Sequence, residues 1–183
     1  MIIQKDDIIT IKDFLKSFKI IFWDFDGVIK NSVFVKGEAF EKTFKDYGPK
    51  IISKIIQHHL KNGGISRFKK IPIYLDWCGL ECTKDNVDFF SKKFSNHSVE
   101  SVVKSDFIPG VKEALGFSAL RKKNVLVTAT PEKDIHTILL KINLLNFFIE
   151  IYGSEVDKEI VINKFISDNK YKKKDYLFIG DSE

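Results

Sequence analysis

Four short apolar runs constrain this chain more than any other feature: KIIFWD at 19–24, NVLVT at 124–128, FIEIY at 148–152 and YLFIG at 176–180. Each reads as a strand; the first, too short for a helix and rich in β-formers, fits a fully buried central one. Helices are expected over 110–121, with Pro109 near its start, and over 132–143 and 156–168, between the later runs. Strands alternating with helices of that length imply βαβ crossovers and a doubly wound, parallel α/β sheet covered on both faces. An amphipathic stretch, TIKDFLKSF, precedes the first run and predicts a short leading helix capped by Thr10.

From about Gly37 to Asp106 the pattern changes to helices with basic and aromatic faces, broken at KNGGISR and by Pro72. This segment is expected to be a helical insertion, dividing the chain into a core of 1–36 and 107–183 and an inserted subdomain of 37–106. A length of 183 residues suits one domain with such an addition.

Composition narrows the function classes. No apolar run approaches the roughly 18 residues of a membrane span, and the N-terminus lacks a secretory signal, so a cytoplasmic protein with no membrane partner is expected. The net charge of +5 arises from 30 basic residues scattered among 25 acidic ones, with no DNA- or RNA-binding signature, so no nucleic-acid partner is expected. The two cysteines, Cys78 and Cys82, exclude a disulfide framework; lacking a companion His or Cys pair they make no zinc site and read as buried thiols.

In parallel sheets the ligand crevice lies beyond the carboxyl ends of the strands. The residues there are Asp24, Thr128, Gly153 and Asp181. Asp24 and Asp26, in DFDGV, are two acids one residue apart after a buried strand; they repel unless a cation intervenes or one is protonated. For phosphoryl transfer both are useful, one as nucleophile and one as proton donor. Thr128 offers a hydroxyl and Ala129 a backbone N–H where a helix begins, and helix N-termini favour anions. Thr130, before Pro131, reads as an ordinary helix cap. Lys158, after the GSE turn, is preferred to Lys164 as the cation balancing phosphate and carboxylate charge. Asp181 is a hard oxygen ligand suited to Mg²⁺.

IIFWDFDGV, VLVTATP, the lysine of GSEVDK and YLFIGDSE together resemble the four ordered motifs of the haloacid dehalogenase superfamily, a Rossmann-like fold whose members are mostly magnesium-dependent phosphatases. The resemblance spans Lys19 to Glu183. It implies that Asp24 is the nucleophile forming an aspartyl-phosphate and that Asp26 is the general acid and base. Asp24, Asp181 and the Asp26 main-chain carbonyl would bind Mg²⁺, while Thr128 and Lys158 would hold the phosphoryl group. The inserted segment lies where one branch of the family carries a helical cap. Its GGISR resembles the substrate loop of the phosphoglycolate phosphatase and β-phosphoglucomutase branch, which implies that Arg67 reaches an anionic group of the substrate. The fourth motif usually has a further acid about four positions on. Here the chain stops two residues past Asp181, with Glu183 at another offset, so an incomplete chain is expected. The expected activity is hydrolysis of a small phosphorylated metabolite by a monomer or homodimer. The alternatives are a phosphosugar mutase and a truncated, non-catalytic phospholigand-binding domain.

Overall fold

The computed structural model describes residues 5–121 and 123–181. The chain separates into two compact units: residues 1–31 with 106–183, and residues 32–105. The inserted unit thus begins five residues before Gly37, because the helix starting at Val33 belongs to it.

In the first unit, helix α1 (Lys5–Lys16) leads into strand β1 (Ile20–Trp23). Thr10 is therefore inside α1 and does not cap it; the polar KDD at the helix start has no apolar periodicity to reveal that turn. After the insertion come α6 (Val111–Ala119), β2 (Asn124–Val127), α7 (Glu132–Lys141), β3 (Glu150–Tyr152), α8 (Lys158–Asp168) and β4 (Tyr176–Ile179). The four strands form one parallel sheet in the order β3-β2-β1-β4, with Phe22 opposite both Val125 and Phe178.

Every residue of β1 and β2 is buried, which is why their runs carry no polar alternation. One face packs Ile20, Phe22, Val125 and Val127 against Val161 and Phe165 of α8. The opposite face carries a polar tie: Trp23 Nε1 donates to Asn124 Oδ1 at 2.9 Å, and Asn124 Nδ2 donates to the Leu115 and Phe147 carbonyls. Those bonds satisfy a fully buried amide, whose desolvation would otherwise cost about 1–3 kcal/mol. The chain leaves this unit and re-enters it as a paired crossing, Asn31 N donating to Asp106 O and Ile108 N to Ile29 O.

The inserted unit is four helices, α2 (Val33–Thr43), α3 (Pro49–Lys61), α4 (Arg67–Trp77) and α5 (Lys84–Lys104). Its core is aromatic: Phe40 lies 4.1 Å from Phe94 between ring centroids, and Phe44 stacks on Phe90 at 4.8 Å. Ser66 and Thr83 cap α4 and α5 by accepting from the Phe68 and Asn86 amides. Pro72 does not break the helix and lies within α4, where the buried Ile71, Tyr74 and Leu75 hold it. Cys78 ends α4 and is partly buried, its thiol pushed up to about 11 by desolvation. Cys82 is exposed in the following loop, so the pair is not two buried thiols on one helix face. Among the described residues no helix is long and apolar enough to cross a membrane.

Candidate active site

Asp24 follows directly on the central strand, and its N–H still donates to Ile179 O of β4 at 2.9 Å. The residue is 4% exposed. Its Oδ1 accepts from the Phe25 amide at 2.7 Å and its Oδ2 meets the Lys158 ammonium. Burial raises the Asp24 carboxyl above the ordinary carboxylate range; Lys158 pulls it down, Asp26 adds to the rise, and the Phe25 N–H opposes it. Lys158 opens α8, whose N-cap Asp157 accepts from Glu159 N. Lys164, six residues further along α8, lines a cavity with Glu150, Tyr152 and Phe165.

Gly27 adopts φ +76°, the left-handed region that favours glycine, and this turns the chain immediately after Asp26. A Cβ on Gly27 would collide with the Asp181 carboxylate. The structure therefore brings Asp181, just beyond β4, against the Asp24–Gly27 turn. Ser182 and Glu183 lie outside the described residues.

Thr128 is 1% exposed, and its hydroxyl oxygen accepts from Thr130 N at 3.2 Å. That bond uses a lone pair and leaves the hydroxyl proton to be donated elsewhere. Ala129, between them, is partly buried. Thr130 differs from the sequence expectation. The N-cap position of α7 belongs to Pro131, and the Thr130 hydroxyl instead donates to Asp26 Oδ2 at 3.2 Å. A threonine before a proline looks like a cap, but fixing the N-cap at Pro131 leaves this side chain to reach a carboxylate 104 residues earlier. The T-x-T spacing, 128 and 130, was the available signal.

Arg67 belongs to the other unit. It is 6% exposed; its guanidinium lies 4.7 Å from the Phe94 ring centre and donates to Ser91 O. It is therefore buried and not a surface arginine.

The donors that could hold a divalent cation are Asp24, Asp181 and the Asp26 carbonyl. Among the described residues no three His, Cys, Asp or Glu side chains gather as a metal site. Two carboxylates and one carbonyl are hard oxygens, and the space that Gly27 leaves for Asp181 keeps a carboxylate beside the Asp24 turn. This donor chemistry fits Mg²⁺, which binds through one or two carboxylates and keeps waters.

The sequence model of the haloacid dehalogenase-like hydrolases matches residues 20–183. No curated protein matches the chain by sequence. Solved structures do. A predicted phosphoglycolate phosphatase from Haemophilus somnus is 21% identical, with TM-score 0.66 over 90% of this chain and 77% of that one. A β-phosphoglucomutase from Clostridium difficile is 18% identical, with TM-score 0.70 over 90% and 76%. A HAD hydrolase from Bacillus subtilis, bound to magnesium, is 17% identical, with TM-score 0.65 over 90% and 80%. At these identities the likeness to the solved structures shows the fold.

Proposed function

This chain belongs to the haloacid dehalogenase-like hydrolases, and from that premise we propose that it is a Mg²⁺-dependent phosphatase acting on a small phosphorylated metabolite through an aspartyl-phosphate on Asp24. The observation that carries the reading is the environment of Asp24. A nearly buried carboxylate ends the central strand, one oxygen oriented by the Phe25 amide and the other matched by Lys158. A desolvated carboxylate with a single fixed cation is a nucleophile whose position is set before the substrate arrives.

In the first step an Asp24 oxygen forms a bond to phosphorus while the bond to the leaving oxygen breaks. That oxygen takes a proton from Asp26, whose carboxyl Thr130 orients. In the second step water attacks the phosphorus, Asp26 takes its proton, and the bond to Asp24 breaks to free phosphate. Lys158, Thr128 and the Ala129 N–H stabilise the phosphoryl oxygens as charge builds. Mg²⁺, held by Asp24, Asp181 and the Asp26 carbonyl, would supply charge neutralisation for the transferring group.

The test is phosphate release from a panel of phosphorylated metabolites, with and without Mg²⁺, by the wild-type chain and by Asp24→Asn. Magnesium-dependent release that falls in the variant by roughly 10³-fold or more supports the reading. Equal release by both chains would sink it, and turnover only with an added sugar bisphosphate would replace it with the mutase.

A further inference from the structure

Lys158, the first residue of α8, can serve Asp24 only if the loop leading into it is held in place, since a lysine stem is flexible. The loop between β3 and α8, residues 153–157, is held by contacts that skip along the chain. Thr128 N donates to Tyr152 O at 3.0 Å, and Ser154 N donates to Thr130 O at 3.1 Å. Next, the Glu155 carboxylate sits at the start of α7, both oxygens 3.0 Å from the backbone N of Glu132. The Pro131 N-cap gives this helix no side-chain cap of its own, so the cap arrives from 23 residues downstream. Gly153 makes room for it: a Cβ there would lie 2.7 Å from Glu132 Cα and 2.5 Å from Glu155 Oε2.

Two consequences follow from this geometry. The Glu132 N–H, the first amide of α7, is already engaged by a carboxylate and is not free to take a phosphoryl oxygen. The same clamp ties the loop that leads into Lys158 to the segment bearing Thr128 and Thr130.

We infer that Glu155 is a positioning residue: by clamping the 153–157 loop onto the N-terminus of α7 it fixes the spacing between Lys158 and Thr128, the two side chains that hold the phosphoryl group. This rests on the phosphotransfer reading of Asp24 and Lys158 and adds to it a residue that touches neither substrate nor metal. A carboxylate that only capped α7 would add stability and leave Lys158 alone.

A double-mutant cycle between Glu155 and Lys158, read by binding of tungstate to the full chain in magnesium buffer, separates the two roles. Lys158→Ala is expected to weaken tungstate about 10-fold or more and Glu155→Ala about 5-fold or more. Glu155→Ala added to Lys158→Ala should cost nothing further, and Glu155→Gln, which keeps one acceptor oxygen, should recover most of the binding. Additive losses would overturn the inference, as would a Glu155→Ala chain that binds normally with a lowered Tm. Because tungstate binding needs no turnover, a wild-type chain that binds tungstate but releases no phosphate overturns the phosphatase reading while the cycle still decides Glu155. A wild-type chain that binds no tungstate overturns both.

Discussion

The two units treat buried charge differently. In the α/β unit Asp24 is buried at a strand end and meets Lys158, 134 residues away, with Asp26 in the same turn and Asp181, beyond β4, against that turn. In the helical unit the buried cations Arg67 and Lys70 lie three residues apart on α4, and their contacts include the Phe94 ring and Ser91 carbonyl for one and His59 Nδ1 at 3.1 Å for the other. Lys70 is the donor in that contact, so His59 accepts at Nδ1 and donates from Nε2 to Val33 O. Charges of the first kind are held at a cost, with a carboxyl raised above its ordinary range by burial. Those of the second kind lie among the aromatic side chains of their own core.

The widest separation between the units is expected from Asp24→Asn. The variant should lose phosphate release by roughly 10³-fold or more while its Tm stays level or rises. The sign follows from linkage. The folded carboxyl binds its proton more tightly than the unfolded one, so above the unfolded value ionisation favours the unfolded chain, and removing the charge removes that penalty. A Tm well below wild type, measured by calorimetry, would show that Asp24 stabilises the fold and would erase the contrast.

Arg67→Ala should do the reverse, costing about 2–3 kcal/mol in urea unfolding through a lost cation–π contact, a lost bond to Ser91 O and a cavity beside Phe94. KM for the best metabolite and for a generic aryl phosphate should stay together. Unchanged stability with a raised KM for the metabolite alone would move Arg67 to the substrate and put both units in one functional class. Smaller still, Thr130→Val keeps the shape of a side chain only 2% exposed but removes the donor to Asp26. A fall in kcat of about 10-fold is expected, with recovery in Thr130→Ser. Wild-type kcat in Thr130→Val would leave Asp26 oriented by other contacts.

The same division explains what was legible in the sequence. β1 and β2 announce themselves because they are buried on both faces, and their ends then point to Asp24 and Thr128, while Asp181 follows the less buried β4. Local chemistry could not reveal contacts that close over long separations. The Thr130 hydroxyl was hidden behind a cap-like position before Pro131, and Glu155 is an exposed acid whose partner is a backbone amide on another helix. In the helical unit Pro72 reads as a breaker, yet a proline inside a helix forfeits one hydrogen bond, and the flanking Ile71, Tyr74 and Leu75 bury enough apolar surface to carry α4 through it. Arg67 looks like a surface residue in a glycine turn, and only the packing of α4 shows it buried with its guanidinium 4.7 Å from the Phe94 ring centre.

The finest test of the contrast is the pH dependence of the helical unit. His58 Nδ1 lies 3.1 Å from the Tyr74 hydroxyl, and the imidazole is edge-on to Trp77, with ring centres 5.4 Å apart. Burial, and then the charge of Lys70, lower its proton affinity below the ordinary imidazole value. The unfolded chain therefore takes up a proton first as pH falls through about 6.5, and the folded chain follows only at lower pH. The contribution of His58 is thus fully present above about pH 6.5 and is lost progressively below it as the folded value is approached. His58→Gln, which offers Tyr74 an amide and does not titrate, should close the Tm gap to wild type by roughly 1–3 °C between pH 7.5 and 5.5. The gap must narrow toward acid if a neutral ring is part of this core. Parallel Tm curves across that range would mean that His58 titrates as it does in water, and that this core tolerates a charge it is built to exclude.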